Sequence, residues 1–312
     1  MSAQLVIDVL LGLILVGLAA QVAIGQHLFR AIVFYVAFGL AMAVIWARLG
    51  APDLALADAA IGAGLTGALM MVAFRRLVEI DPKQAQAQAT RGSALAVVIA
   101  VLAAGMVATI GLTALMLEEQ PGVAGLQVMA TLEETGLGNP VTGVLLVFRG
   151  FDTLIEMTVL LTAFIGSRVM TTHSRLYVAT LAGFQLPLVR TLVAVILPLA
   201  SMVGIHLLWI GSDQPGGAFQ AGSLLAGAGV LLLLTGTLLP ASKSRALVRL
   251  TLVAGVSALC VLVLAPILRG QVAMAYLGRG SLLFAEALMM ISIATTLTLL
   301  FAGRPSLKWG RT

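Results

Sequence analysis

Three ionisable residues lie close together in a long apolar stretch, namely Arg149, Asp152 and Glu156 within the run Pro140 to Gly166. If this run is one α-helix, spacings of three and seven residues place all three side chains on one stripe. A charged side chain near the centre of a membrane costs about 2.5 to 3.5 kcal/mol to insert unless it is paired or hydrated. The stripe is therefore predicted to face protein or water.

Two interpretations of this stripe stay open. In the first, Arg149 and Asp152 form an intrahelical pair that neutralises charge and joins two helices, which leaves Glu156 unexplained. In the second, Glu156 takes and releases a proton or binds a cation inside the membrane, and Arg149 tunes its charge. The second interpretation makes Arg149, Asp152 and Glu156 candidate ion-path residues.

Other polar side chains within apolar stretches are weaker candidates for the same path. Asp58 lies about a turn and a half into its stretch, and Glu286 lies about two turns from a helix end. His206 either carries protons or makes a packing hydrogen bond, and the sequence favours the latter. Asp53 is predicted to cap the outer end of a helix and so to be structural.

Glycines close to Asp58 match the pattern GxGxxG, at Gly62, Gly64 and Gly67. This pattern binds dinucleotides only when it follows a β-strand and opens a helix. Here it lies inside an apolar run, so we expect these glycines to let two helices approach closely.

A second motif, Pro215-Gly216-Gly217 with Gln220 and Gly222, predicts a break between two helices. An unwound segment at membrane depth must be buried in protein or line an aqueous cavity. Gln220 would begin the next helix, whose free amides could meet an anion, a carbonyl group or water. The simpler alternative is a tight, exposed turn, and both remain open. All five residues are predicted to form a structural turn.

The elements that position these residues follow from composition. Of the 312 residues, 60% are hydrophobic and 10% are charged, which excludes a soluble enzyme. Uninterrupted apolar runs predict an all-α, polytopic integral membrane protein with about nine transmembrane helices. These are Leu5 to Ile24, Ala31 to Ala47, Leu54 to Phe74, Ser93 to Leu115, Pro140 to Gly166, Leu188 to Ile210, Phe219 to Leu239, Leu250 to Leu268 and Ser281 to Phe301.

Basic residues set the predicted orientation. With the N-terminus outside, fourteen of the 18 Lys and Arg residues lie on the inner side, which indicates N-out and C-in. This bias explains the net charge of +5 without nucleic acid as a partner. The single Cys260 and three scattered His residues predict no disulfide, metal, cofactor or catalytic centre.

Three blocks of sequence are similar to known families of membrane subunits. The block Pro52 to Leu69 resembles the MbhD-like region of Mrp-type cation/proton antiporters, although Asp58 stands where the family pattern has Glu. The block Asn139 to Leu160 resembles the adjoining MbhE-like region, and Val189 to Gly222 resembles the MnhB/MrpB subunit with its PGG-x-FQ-x-G turn. We expect regions at 1–92, 93–180 and 181–312.

The resemblance implies a transport subunit rather than an enzyme. It implies an accessory subunit of an Mrp-type antiporter in the bacterial inner membrane, beside a separate pump subunit, other membrane subunits and lipid. The path for Na⁺ or H⁺ would then use Asp58, Asp152 and Glu156, with Arg149 as charge partner. The same modules occur in complex-I-like hydrogenases and in CO2- or bicarbonate-handling complexes, and a purely structural seam subunit is a further alternative.

Overall fold

A computed structural model describes the chain at residues 3–24, 27–80, 94–116, 122–171, 187–241, 243, 245–272 and 275–309. Within these residues, eight helices are long and apolar enough to cross a membrane, and Ala218–Leu234 is a shorter apolar helix. Together they confirm the predicted all-α, multi-pass membrane fold with about nine spans.

The helices of the first half differ in how much of their surface is buried against other helices. They are α1 (Ala3–Ile24), α2 (Leu28–Arg48), α3 (Pro52–Ala57), a π-helical segment (Asp58–Leu65), α4 (Thr66–Ile80), α5 (Ala94–Met116) and α6 (Val123–Thr135). The first π-segment packs against α2, where Gly39 approaches Ala63, and Gly67 at the start of α4 approaches Val36 of α2. Of the three glycines near Asp58, Gly67 thus allows close packing of two helices, as predicted, whereas Gly62 and Gly64 face atoms of their own helix. In contrast, every residue from 98 to 116 of α5 is exposed.

The second half contains the core of the bundle. Its elements are α7 (Pro140–Gly143), a second π-segment (Val144–Phe148), α8 (Gly150–Thr171), α9 (Pro187–Ile210), α10 (Ala218–Leu234), β1 (Leu238–Ala241), α11 (Ala246–Leu268), α12 (Arg279–Ala302) and β2 (Ser306–Trp309). Helix α12 packs against α10 and α11 and is the most buried of the spans.

Small residues bring these core helices together. A Cβ atom on Gly222 would lie 2.8 Å from the Cβ of Ile293, and one on Gly229 would lie 2.5 Å from Thr298 Oγ1. Gly222 therefore belongs to the α10–α12 contact and not to the turn in which the sequence placed it. Such small residues let helix backbones approach closely in a membrane.

The run Pro140 to Gly166 is not the single helix expected. The helix that begins at Pro140 widens into the second π-segment and ends at Arg149, whose backbone (φ −132°, ψ 33°) is not helical. Helix α8 then begins at Gly150. The N–H of Arg149 donates to the carbonyl oxygen of Val144 at 2.7 Å, five residues earlier. Such π-helical turns occur mostly as local insertions in α-helices, and frequently at functional sites.

Two other boundaries differ from the prediction. The span expected to reach Leu239 ends at Leu234, and Leu238 begins the strand β1, which pairs antiparallel with β2. The segment before Asn139, which lies between two of the nine expected spans, contains α6, whose Leu132 is buried. Strand β1 pairs with the distant β2, whereas α6 packs against the following helix α7.

Candidate functional site

The segment between α9 and α10 lies enclosed at one end of the bundle. This outer end, named after the predicted orientation, is where α3, α7, α10 and α12 begin. Ser212 is only 1% exposed, and Gly211, Gly216 and Gly217 are also buried. The Gly217 N–H donates to Leu207 O at 2.9 Å, and its φ of +113° favours glycine. The segment is thus an unwound, buried connection, although Asp213 and Gln214 are exposed.

The middle of the chain fixes this segment through α7. Asn139, which is 4% exposed, caps α7 by accepting from the Val141 N–H at 2.9 Å. Its amide nitrogen donates to the carbonyl oxygens of Gly211 at 3.2 Å and Gln214 at 2.9 Å. The Thr142 hydroxyl donates to the same Gly211 oxygen at 2.6 Å.

The start of α3 fixes the segment from another side. Asp53 is 6% exposed, and its Oδ1 accepts from the Gly216 N–H at 2.9 Å. The Gln220 side-chain amide donates to the Asp53 carbonyl oxygen at 3.3 Å. Asp53 was expected only to cap its own helix, whereas here it binds a residue 163 positions later.

These contacts surround a cavity of about 420 Å³ that we name the outer cavity. Its lining is mostly apolar and includes six polar side chains from the described part of the chain. These are Asp53, Thr142, Thr153, Glu156, Gln220 and Glu286. They come from α3, α7, α8, α10 and α12, so the cavity exists only where all these elements meet.

The three carboxylates in the outer cavity differ in burial. Glu156 is exposed and lies near the exposed Leu54 and Leu145, so this side forms the mouth. Asp53 and Glu286 are 6% and 3% exposed and form the floor. The outer cavity therefore extends from the surface of the chain to the buried Glu286 carboxylate on α12.

Glu286 is the less completely hydrogen-bonded of the two buried carboxylates. Its Oε2 is buried without a hydrogen-bond partner among the described residues. The backbone N–H of Ala218, at the first turn of α10, hydrogen bonds to the same carboxyl group. Buried polar atoms rarely lack partners, so Oε2 marks a place where a proton, water or ion completes the arrangement.

The remaining predicted site residues lie elsewhere. Arg149 and Asp152 form a salt bridge of 2.5 Å, with side chains 69% and 51% exposed, and neither lines the outer cavity. Asp58 folds back over Gly62 of its own helix, where a Cβ atom would collide with its Oδ1. His206 is exposed on α9 and lies outside the cavity lining. Of the predicted ion-path residues, Glu156 and Glu286 thus line the outer cavity together with Asp53, which was not predicted. The remaining ones lie outside the lining.

Sequence reasoning missed Asp53 as a lining residue. The only available signal was a carboxylate next to Pro52 at the beginning of an apolar run, which is also what an ordinary helix cap looks like. Among the described residues, no three His, Cys, Asp or Glu side chains come close enough to hold a metal ion together.

Comparisons with known proteins identify two parts of the chain. Residues 13–79 match MbhD, a family of MBH subunits, and residues 188–303 match a domain related to the MnhB subunit of Na⁺/H⁺ antiporter. No match is found among curated proteins.

One solved structure gives a similarity in fold. It is that of the Mrp complex from Dietzia sp. DQ12-45-1b, with a TM-score of 0.74 and 22% sequence identity. The alignment covers 95% of this chain and 34% of the matched one, so this chain spans about a third of its relative's length.

Proposed function

We propose that this chain, which joins an MbhD region to an MnhB-related region in one polypeptide, is an accessory subunit of an Mrp-type cation/proton antiporter. It contributes part of an Na⁺ or H⁺ path next to a separate pump subunit, in the bacterial inner membrane. The residues between the two matched regions, including α7 and α8, act as the MbhE-like region of the same subunit.

One observation carries the proposal: carboxylates from the MbhD region, the middle region and the MnhB-related region line a single cavity. An unpaired and unhydrated carboxylate in an apolar span costs free energy, and this applies to Asp53, Glu156 and Glu286. Ionisable residues inside membranes typically mark pathways for ions or protons.

The position of Glu156 supports a partner at the mouth of the cavity. Glu156 lies in a membrane span, is exposed, and makes no ion pair or hydrogen bond with any described residue. Facing lipid alone, it would cost about 2.5 to 3.5 kcal/mol. A neighbouring subunit or a water-filled passage therefore covers it, and the ion passes between that neighbour and the outer cavity. Lipid covers the apolar faces that subunits leave free.

The path works by alternate occupancy of carboxylates. An ion or proton arriving at Glu156 moves inward toward Asp53 and Glu286 through a cavity large enough for several water molecules. Asp58 and Asp152, the other acidic residues expected on the path, do not line the outer cavity, and this proposal leaves both off the path.

A structural seam subunit is the second candidate, favoured by the exposed Arg149–Asp152 pair. This pair lies outside the cavity at the break between the second π-segment and α8. There it joins the chain to a neighbour, and the chain itself carries no ion.

Transport by the assembled complex in inverted vesicles separates the two candidates. Glu156→Gln should abolish Na⁺-dependent proton exchange and leave assembly intact, because glutamine keeps the shape and removes the charge. Asp152→Asn is the matched control, one turn away on the same helix, and should leave exchange unchanged. Unchanged exchange in Glu156→Gln, with assembly lost on Asp152→Asn and restored by exchanging Arg149 and Asp152, would establish the seam subunit instead.

A further inference from the structure

We propose that the outer cavity binds one partly hydrated alkali cation, with the Glu286 carboxylate as its charged ligand. This inference rests on the proposed function for its role in transport and names the group that holds the ion. Binding itself is a property of this chain and is measured without transport.

Glu286 lies in an environment that leaves its carboxylate incompletely paired. The side chain is 3% exposed and lies on the cavity floor, where Oε2 has no hydrogen-bond partner among the described residues. The Ala218 N–H satisfies only part of the carboxylate. A buried charge that is neither paired nor fully hydrogen-bonded is strongly unfavourable, so a positive charge or a proton must accompany it.

The described part of the chain provides no fixed positive charge beside Glu286 in the outer cavity. No described Lys or Arg lines the outer cavity, whereas Asp53 and Glu156 add further negative charge from α3 and α8. Arg279 at the start of α12 and Arg149 just before α8 are both engaged at the surface, with Asp213 and Asp152 respectively. The compensating charge is therefore mobile.

Two side-chain oxygen atoms converge over Gly217. A Cβ atom on Gly217 would lie 3.2 Å from Glu286 Oε1 and 3.6 Å from Gln220 Oε1. The Gln220 amide nitrogen donates to the Asp53 backbone, which leaves its oxygen free to face the glutamate. Carboxylate and amide oxygens are the ligands that hard cations prefer, and the missing side chain leaves space between them.

The spacing of the acidic groups favours an alkali cation over a divalent one. Within the described residues no three acidic, His or Cys side chains can reach one ion together, whereas Ca²⁺ takes six to eight oxygen ligands, several of them from carboxylates. A single carboxylate with an amide oxygen and waters suits one positive charge. The cavity volume of about 420 Å³ leaves room for those waters.

Equilibrium binding of ²²Na⁺ to the full chain in nanodiscs tests the proposal. We expect saturable binding of one ion per chain, unaffected by choline and displaced by K⁺ at concentrations comparable to those of Na⁺. Glu286→Gln should weaken binding by at least about tenfold, because it removes a charged ligand. Glu286→Asp keeps the charge and should bind better than Glu286→Gln, and Asp152→Asn should match the unmodified chain.

Several results would overturn the assignment. They are the absence of saturable binding to the unmodified chain, unchanged affinity in Glu286→Gln, and displacement of Na⁺ by Ca²⁺ at far lower concentrations than by K⁺. Gel filtration checks that each variant is folded. If Glu286→Gln does not fold, the affinity of Glu286→Asp is compared with that of the unmodified chain instead. Lost binding with transport still dependent on Glu156 would reject only this site. Intact binding in a chain whose complex transports no ions would reject only the proposed function.

Discussion

The contact between α10 and α12 offers the sharpest test of the fold, because two glycines of α10 differ only in their surroundings. Gly222 faces α12, where a Cβ atom would lie 2.8 Å from Ile293 Cβ and 3.0 Å from the Met290 carbonyl oxygen. Gly227 has no described atom within 4 Å of the same position. Carbon atoms pack best at about 3.5 to 4.0 Å, so Gly222→Ala must push the helices apart by roughly 1 Å.

The pair of variants separates this steric effect from helix propensity. Replacing a mid-helix glycine by alanine favours the helix by about 0.5 to 1 kcal/mol in either variant, whereas overpacking costs about 1 to 3 kcal/mol only in Gly222→Ala. Gly222→Ala should therefore have a free energy of unfolding about 1 to 3 kcal/mol below that of Gly227→Ala. The measurement is unfolding of the full chain in micelles by a titration with dodecyl sulfate, followed by circular dichroism.

Equal unfolding free energies in these two variants would refute the close α10–α12 contact. The same contact sets the distance between Gln220 on α10 and Glu286 on α12. We therefore also expect Gly222→Ala, but not Gly227→Ala, to reduce ion-dependent activity of the assembled complex.

Three further predictions concern the enclosed α9–α10 segment and use the same unfolding measurement. Asp53→Ala leaves the buried Gly216 N–H unpaired and should destabilise the chain by about 1 to 3 kcal/mol, while Asp53→Asn, which keeps an acceptor oxygen, should lose less. Asn139→Ala removes a helix cap and two hydrogen bonds and should cost about 2 to 3 kcal/mol; a loss below about 1 kcal/mol would contradict the role given to this side chain. Exchanging Asp213 and Arg279 should change stability by less than about 1 kcal/mol, because the pair is half exposed; a larger loss would show that it is held far more rigidly.

The sequence predicted the spans because each depends on local composition. Long apolar runs must cross the membrane as helices, and Pro215-Gly216-Gly217 must interrupt one wherever it occurs. The break at Arg149 was not predictable in this way. The residues Val144 to Phe148 are all apolar, and nothing in their types distinguishes the wide turn there from an ordinary helical turn.

The candidate site was only partly predictable for a related reason. Glu156 and Glu286 stand out because carboxylates are rare in apolar runs, and both line the outer cavity. Asp58 and Asp152 stand out equally but lie outside the outer cavity. A carboxylate in an apolar run shows that its insertion costs free energy, but it does not show which way the side chain points. The role of Asp53 depends on the Gly216 amide, which no pattern within one helix can reveal.

The hydrogen bond from Gly216 to Asp53 also has a consequence for biosynthesis. Its partners are 163 residues apart, and ribosomes add about 5 to 20 residues per second, so Asp53 waits roughly 8 to 33 seconds for its donor. During that time α3 is in the membrane and the Asp53 carboxylate lacks its partner from the protein. Its place in the first turn of α3 keeps Asp53 at the water boundary until α10 arrives. The outer cavity is thus among the last features to form, and a chain stalled before Gly216 would expose Asp53 to cellular quality control.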